Sequence, residues 1–333
     1  MSTAVRIPVT EPSQTGEARR AAVKMAARLG FNETEAGNIA ILVTETATNL
    51  LKHGSGGEIL LNVSNDGPGL EIIGLDKGRG MESVAACLRD GYSTAGSNGS
   101  GLGAMARLST ALDIYSALDK GTVIVSRTAS SGAARQRDPI EVAGFCVPIA
   151  GEQICGDAWA SRHTPDESLI FMVDGLGHGV LAGDAASEAV AAFLECVSTS
   201  PIDILNEAHR RLRSTRGAAA AVASIHRESG AVNFAGIGNI AGVLVDGGVN
   251  RHLVSMNGTL GHNVRQFRAF SYPWSSSSLL ILHSDGLGTR WDLSSYSGLA
   301  QRSPTLIAAV LYRDMQRERD DSSIAVAREK GAE

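Results

Sequence analysis

The chain has 333 residues, more than one hydrophobic core usually serves, so two domains of ordinary size are expected. Hydrophobic residues make up 43% and charged residues 20%, which excludes a wholly disordered or fibrous chain. A formal net charge of -5 gives no electrostatic reason to expect nucleic acid or an anionic membrane as partner.

The 4 cysteines, Cys87, Cys146, Cys155 and Cys196, form no CxxC pair, so reduced thiols are expected rather than a zinc knuckle or a disulfide framework. The opening Met1 to Pro8 lacks the apolar stretch of a signal peptide, and no apolar run reaches membrane-spanning length. A cytoplasmic location is the expectation.

Val5 to Val9 reads as a strand, and Glu17 to Leu29 as a helix ended by Gly30. In the next helix Asn32 and Glu35 have capping-box spacing, and Ile39, Leu42, Val43, Thr46 and Leu50 recur at steps of three and four on one face. Glu45, Asn49 and His53 fall on another face. There the Asn49 amide oxygen can ligate Mg²⁺ and the Glu45 carboxylate can take a proton, although such a pair alone is usually solvated surface. Glu58 to Ser64 and Leu70 to Leu75 flank the turn-rich Asn65-Asp66-Gly67-Pro68-Gly69, a hairpin that delivers Asp76. In Asp76-Lys77-Gly78-Arg79-Gly80-Met81 the glycines permit close backbone approach, and Asp76 can accept from an exocyclic amine. Gly99-Ser100-Gly101-Leu102-Gly103 reads as a flexible loop before a helix starting at Ala104, where free amides suit phosphate. Gly121-Thr122 opens a strand at Val123.

The polar, small-residue segment from Ala129 to Pro139 marks a domain boundary. The expected organisation is a first domain over 1-128, a linker over 129-138 and a second domain over 139-333, with no internal repeat. The second half reads as a strand-rich sandwich: strands at Ser168 to Val173, Val222 to Ile225, Val232 to Ile237 and Leu279 to Leu282, and helices at Val180 to Val197 and Ile202 to Arg213. Acidic residues end several strand-like runs, in Gly156-Asp157, Asp174-Gly175-Leu176-Gly177-His178-Gly179, Ser284-Asp285-Gly286 and Asp320-Asp321-Ser322. Each alone is a common turn. Converging, they would repel one another unless divalent cations sat among them, and oxygen-only ligation favours Mg²⁺ or Mn²⁺ over zinc.

The N-terminal segments resemble the nucleotide-binding boxes of the GHKL ATPase superfamily, in the right order, and are most similar to the anti-sigma-factor serine kinases of the bacterial stressosome, including Gly91-Tyr92-Ser93-Thr94. The resemblance implies an α/β sandwich that binds ATP and Mg²⁺, with Glu45 as catalytic base, Asn49 as Mg²⁺ ligand and Asp76 as adenine reader. Gly78, Gly80 and Thr122 would line the adenine pocket; Gly99, Gly101 and Gly103 would form the phosphate lid. No phosphoacceptor hairpin precedes the domain, so His53 is expected to be a surface or supporting residue.

The C-terminal motifs resemble the metal-dependent SpoIIE-type protein phosphatases over about residues 139-328. Arg216-Gly217-Ala218 and Gly236-Ile237-Gly238-Asn239-Ile240 resemble the stressosome-feedback branch. An αββα sandwich with two Mn²⁺ or Mg²⁺ ions is implied, giving an α+β chain of two domains. Asp174 would bridge the ions, Gly175 would offer its carbonyl, and Asp157, Asp285 and Asp320 would complete the site, with Asp321 the weaker candidate. Two cations can activate a water and counter phosphoryl charge, so no phosphoenzyme nucleophile is needed. His178 and Cys155 are read as structural.

These resemblances imply a bifunctional kinase and phosphatase acting on a STAS-domain anti-sigma-factor antagonist or a stressosome protein. Two other readings compete: a phosphatase regulated by a non-catalytic ATP-binding or partner-binding domain, and a non-enzymatic partner-switch protein. Retention of Glu45 opposes the first, and retention of the aspartates opposes the second.

Overall fold

The structure, a computed structural model, describes residues 3–65, 67–88, 101–130 and 138–330. It divides into two compact units, one of Ala4–Arg137 with Thr305–Arg313, the other of Met1–Thr3, Asp138–Pro304 and Asp314–Glu333.

The first unit opens with β1 (Val5–Val9) and α1 (Pro12–Arg28). This helix starts before the Glu17 that periodicity suggests, because Glu11 and Gln14 close a capping box and Pro12 takes a first-turn position that needs no N–H partner. In α2 (Glu33–His53) the expected capping box forms, with Asn32 Oδ1 accepting from Glu35 N at 2.9 Å and Glu35 Oε2 accepting from Asn32 N at 2.8 Å. β2 (Gly57–Val63) and β3 (Gly69–Leu75) pair antiparallel as the expected hairpin, ending at Asp76. After α3 (Val84–Cys87) and α4 (Gly101–Leu108) come β4 (Ala111–Ser116) and β5 (Thr122–Ala129), giving a 5-stranded sheet in the order β1-β2-β3-β5-β4.

Both faces of this sheet are apolar. Ile59, Leu61, Ile72 and Ile124 pack with Ala18, Ala22, Ile39 and Leu42 of α1 and α2. On the alternate positions Leu60, Ile73, Val123 and Val125 are also buried. That second face carries Glu71, 2% exposed, which accepts from Asn62 Nδ2 at 2.9 Å and from Arg127 Nη2 at 2.9 Å.

The second unit builds β6 (Ile140–Val147), β7 (Asp157–His163) and β8 (Glu167–Gly175), then α5 (Val180–Glu195) and α6 (Pro201–Arg211). β9 (Ala218–His226), β10 (Ala231–Ile237), β11 (Ala241–Asp246) and β12 (Val249–His252) follow. A small ladder of β13 (Gly258–Thr259) and β14 (Asn263–Val264) precedes β15 (Phe270–Pro273) and β16 (Leu279–His283). α7 (Pro304–Met315) and β17 (Ser322–Glu329) end the chain's regular structure. Of α7, Thr305–Arg313 belongs to the first unit.

Two antiparallel sheets result, β15-β10-β9-β8-β7 and β12-β11-β16-β17-β6. Trp159, Ile170, Met172 and Phe234 of one share a buried cluster with Val142, Leu244, Leu280 and Leu282 of the other, as facing sheets require. α5 and α6 lay Ala185, Ala189, Phe193 and Leu205 on Phe171, Val173 and Val222. Alanines on both sides, in α5 and at Ala218–Ala221, let helix and strand approach closely, while the Phe171 and Phe193 rings stack at 5.2 Å. Among the described residues no helix is long and apolar enough to cross a membrane.

Candidate functional site

On α2, Glu45 and Asn49 stand one turn apart and face α4. Glu45 Oε2 lies 2.7 Å from where a Cβ on Gly101 would sit, and Asn49 Nδ2 lies 3.8 Å from Met105 Sδ. Among the described residues α4 spans Gly101–Leu108, so Gly101 and Gly103, read from the sequence as loop before a helix at Ala104, are helical. Gly99 and Gly91-Tyr92-Ser93-Thr94 lie outside the described residues.

Asp76 is buried at the end of β3, and its Oδ1 accepts from Gly78 N at 2.9 Å and Thr122 N at 3.0 Å. Among the described residues both of these bonds use Oδ1 rather than Oδ2. Thr122 also accepts from Asp76 N at 2.9 Å through its carbonyl, and its hydroxyl lies 2.9 Å from Ser116 Oγ. A Cβ on Gly78 would meet His53 O at 2.5 Å, and one on Gly80, at φ +72°, would meet Ala117 O at 2.0 Å, so no other residue fits this loop. Burial raises the Asp76 carboxyl above the usual range, while the Gly78 and Thr122 amides and the charges of Arg313 and His53 draw it back. His53 is exposed at the end of α2, as expected of a surface residue.

In the second unit Asp157 opens β7 directly opposite Asp174 in the β7–β8 register, which brings two carboxylates that are far apart in sequence side by side. Gly175 follows; a Cβ there would meet Ala182 O at 2.3 Å, so α5 and this loop can close only on a glycine. Asp285 lies just beyond β16 and Asp320 just before β17. Asn239, just after β10, links the strand ends: its Nδ2 donates to Asp285 Oδ2 at 2.7 Å and reaches Asp174 Oδ2 at 3.4 Å. The sequence reading assigned this residue no role.

Asp321 does a different job from Asp320. It is 2% exposed, and its two oxygens accept from Ile149 N and Gly156 N, each at 2.7 Å, tying the 149–156 loop to β17. His178 is exposed and lies 2.9 Å from Glu152 Oε1. Cys155 is buried beside Cys146, whose contact and the burial itself push its thiol up, a packing residue rather than a reactive one.

Burial and the Asp285 and Asp320 charges raise the Asp174 carboxyl to about 7. Burial and the neighbouring Asp174 raise Asp157 as well, partly offset by the hydroxyls of Ser284 and Ser323. Asp157 Oδ2 is fully enclosed and makes no hydrogen bond among the described residues. Among those residues no three His, Cys, Asp or Glu side chains stand close enough to hold an ion as they are, and the Asn239 amide takes the Asp174 and Asp285 oxygens instead. An orphaned carboxylate oxygen, self-repelling aspartates and an all-oxygen donor set fit hard divalent cations.

The histidine kinase-like ATPase family matches residues 9–127, and the stage II sporulation protein E (SpoIIE) family matches residues 164–328. Serine/threonine-protein kinase RsbT of Bacillus subtilis (strain 168) is 32% identical over 109 residues, 32% of this chain and 82% of that protein. The chain belongs to the kinase-like ATPase family and carries a SpoIIE domain after it, a GHKL–SpoIIE fusion. Phosphoserine phosphatase RsbX of the same organism is 25% identical to the fusion over 154 residues, 46% of this chain and 77% of RsbX. A structure described as the bacterial stressosome, a modular system adapted to control secondary messenger signaling, matches with TM-score 0.54 and 28% identity over 57% of the fusion and 100% of that chain. RsbX in complex with magnesium matches with TM-score 0.52 and 20% identity over 59% of the fusion and 98% of that chain, which shows a shared fold. The fusion thus joins a kinase-like GHKL domain to a PP2C-type Ser/Thr phosphatase domain.

Two expected results follow from the aspartates of the fusion. Asp321→Asn turns one buried acceptor into a donor aimed at a backbone N–H, a change that costs about 1–3 kcal/mol. Thermal melts should show the loss, at about 2–4 °C per kcal/mol for a unit of this size. Asp320→Asn should leave the melt near wild type and weaken Mn²⁺ binding in a calorimetric titration.

The second concerns pH. A carboxyl whose folded value is raised favours folding fully below its unfolded value, near 3.8 for Asp174, and loses that contribution as pH rises through about 7. Metal-free protein should therefore melt lower at pH 8 than at pH 5.5, and the rise in Tm on adding Mn²⁺ should be larger at pH 8. Equal Mn²⁺ effects at the two values would contradict this.

Proposed function

We propose that the fusion is a bifunctional switch enzyme. Its N-terminal unit phosphorylates Ser/Thr on a STAS-domain anti-sigma-factor antagonist or a stressosome protein, and its C-terminal unit removes phosphate from that protein or a close relative. The observation that carries this reading is the joint presence of Glu45 and Asn49 facing the start of α4 and of Asp174 and Asp285 gathered on Asn239 beside Asp157.

In the N-terminal unit Asn49 would hold Mg²⁺, Asp76 the adenine amine and the start of α4 the phosphates of ATP. Glu45 takes the proton of the attacking serine hydroxyl as the bond to the leaving ADP oxygen breaks. In the C-terminal unit Asp174, the Gly175 carbonyl, Asp157, Asp285 and Asp320 would hold two Mg²⁺ or Mn²⁺ ions. Such ions supply an activated water and charge compensation at the phosphoryl oxygens. Asn239 fixes the relative orientation of Asp174 and Asp285, and the burial of Asp157 keeps that end of the site dry. The names of the relatives, a serine/threonine kinase and a phosphoserine phosphatase, support the pairing of activities. A direct test follows phosphate release from phosphorylated STAS domains with Mn²⁺; no release from any of them removes the phosphatase half of the reading.

A second reading, in which the N-terminal unit is an ATP-binding regulator, is favoured by one observation. From Met315 at the end of α7, whose carbonyl accepts from Gly288 N at 2.8 Å, the chain runs through Arg317, whose Nη1 donates to Asp285 O at 3.2 Å, to Asp320. On that reading ADP alters the rate of phosphate release, and no phosphate reaches a STAS serine.

A further inference from the structure

The sheet of the first unit needs cover on both faces, and α1 and α2 supply one. On the other, Thr305 Oγ1 at the start of α7 donates to Glu71 Oε1 at 2.8 Å and accepts from Arg127 Nη2 at 3.0 Å. Toward the other end of the helix Arg313, only 6% exposed, points Nη1 at the Asp76 carbonyl, 3.4 Å away. α7 lies inside the region matched by the SpoIIE family, so neither the family match nor the local sequence links it to a nucleotide.

We infer that Arg313 is a positioning residue of the nucleotide site, holding the Asp76 peptide from α7 so that the carboxylate stays fixed and charged toward adenine. The inference rests on Asp76 reading adenine, as proposed above. Asp76 has its Oδ1 occupied by Gly78 N and Thr122 N, so a shift of its peptide moves Oδ2 directly. Its Cβ also lies 2.6 Å from where a Cβ on Gly54 would sit, so the end of α2 blocks retreat on that side. The charged groups facing it are Arg313 from α7 and His53 from α2, both of which favour its ionised form against burial. The Arg313 guanidinium stays charged throughout.

The test is calorimetric titration of the full chain with ADP and Mg²⁺ from pH 5 to 8, in a His53→Gln background that removes the other side chain acting on Asp76. Arg313→Gln should bind ADP about tenfold more weakly at pH 7. Its binding should also fail at a higher pH than the parent's as pH is lowered, because Asp76 then protonates more readily. Arg313→Lys, which keeps the charge, should restore the acid limb. Parental affinity and acid limb in Arg313→Gln overturn the inference. So does a loss equal at every pH and undiminished in Arg313→Lys, which marks Arg313 as packing only. Absence of ADP binding by wild type is a separate result that removes the nucleotide reading itself.

Discussion

Asp174→Asn is expected to lower phosphoserine release by at least about 10³-fold and to leave nucleotide affinity at its wild-type level. Losing a single preorganised donor from an oxyanion site costs about 10²–10³. Asp174 matters more, because it pairs with Asp157 across the β7–β8 ladder and meets Asp285 at Asn239, so its charge is shared by the whole donor set. The substitution is nearly isosteric and removes a charge that burial and the Asp285 and Asp320 carboxylates disfavour, so the variant should fold at least as well without metal. Phosphate release, Mn²⁺ binding and ADP binding measured on one preparation separate loss of the site from loss of the fold. Release at the wild-type rate with saturating Mn²⁺ would remove Asp174 from the metal site.

Glu45→Ala should lower phosphoryl transfer to a STAS serine by about 10²–10⁴-fold, the usual range for removal of a general base, while ADP still binds. The nucleotide contacts proposed for Asp76, Thr122 and α4 do not pass through Glu45, whose carboxylate faces Gly101. Radiolabel transfer and ADP calorimetry on the same variant make the comparison. Full transfer by Glu45→Ala would remove its role as base.

What could be read from the sequence was local. The Asn32 and Glu35 capping box and the three-and-four spacing of Ile39, Leu42 and Val43 fixed α2, and with it the shared face of Glu45 and Asn49. The hairpin that presents Asp76 followed from turn chemistry alone. Gly101 and Gly103 misled, because glycines read as loop while here they are helical, with Gly101 close against Glu45. The order Asp320 before Asp321 carried no physical signal by itself; the difference lies in two backbone N–H groups, Ile149 and Gly156, that only folding brings to Asp321. Asn239 reaches Asp174 and Asp285 across 65 and 46 residues, and Arg313 reaches Asp76 across 237. No periodicity or motif spacing records contacts of that kind.

A bifunctional switch enzyme both adds and removes the same class of phosphate. Intact-mass spectrometry of a STAS-domain regulator, incubated first with the chain and Mg-ATP and then, after ATP is removed, with Mn²⁺, reads both steps in one sample. The regulator should gain a phosphate with Asp174→Asn, gain less with wild type, whose phosphatase unit also works with Mg²⁺, and gain none with Glu45→Ala. Once phosphorylated, it should lose that phosphate with wild type and Glu45→Ala but not with Asp174→Asn. A regulator that never gains mass with any STAS candidate, yet is dephosphorylated at a rate that ADP changes, would contradict the bifunctional account and leave a nucleotide-regulated phosphatase in its place.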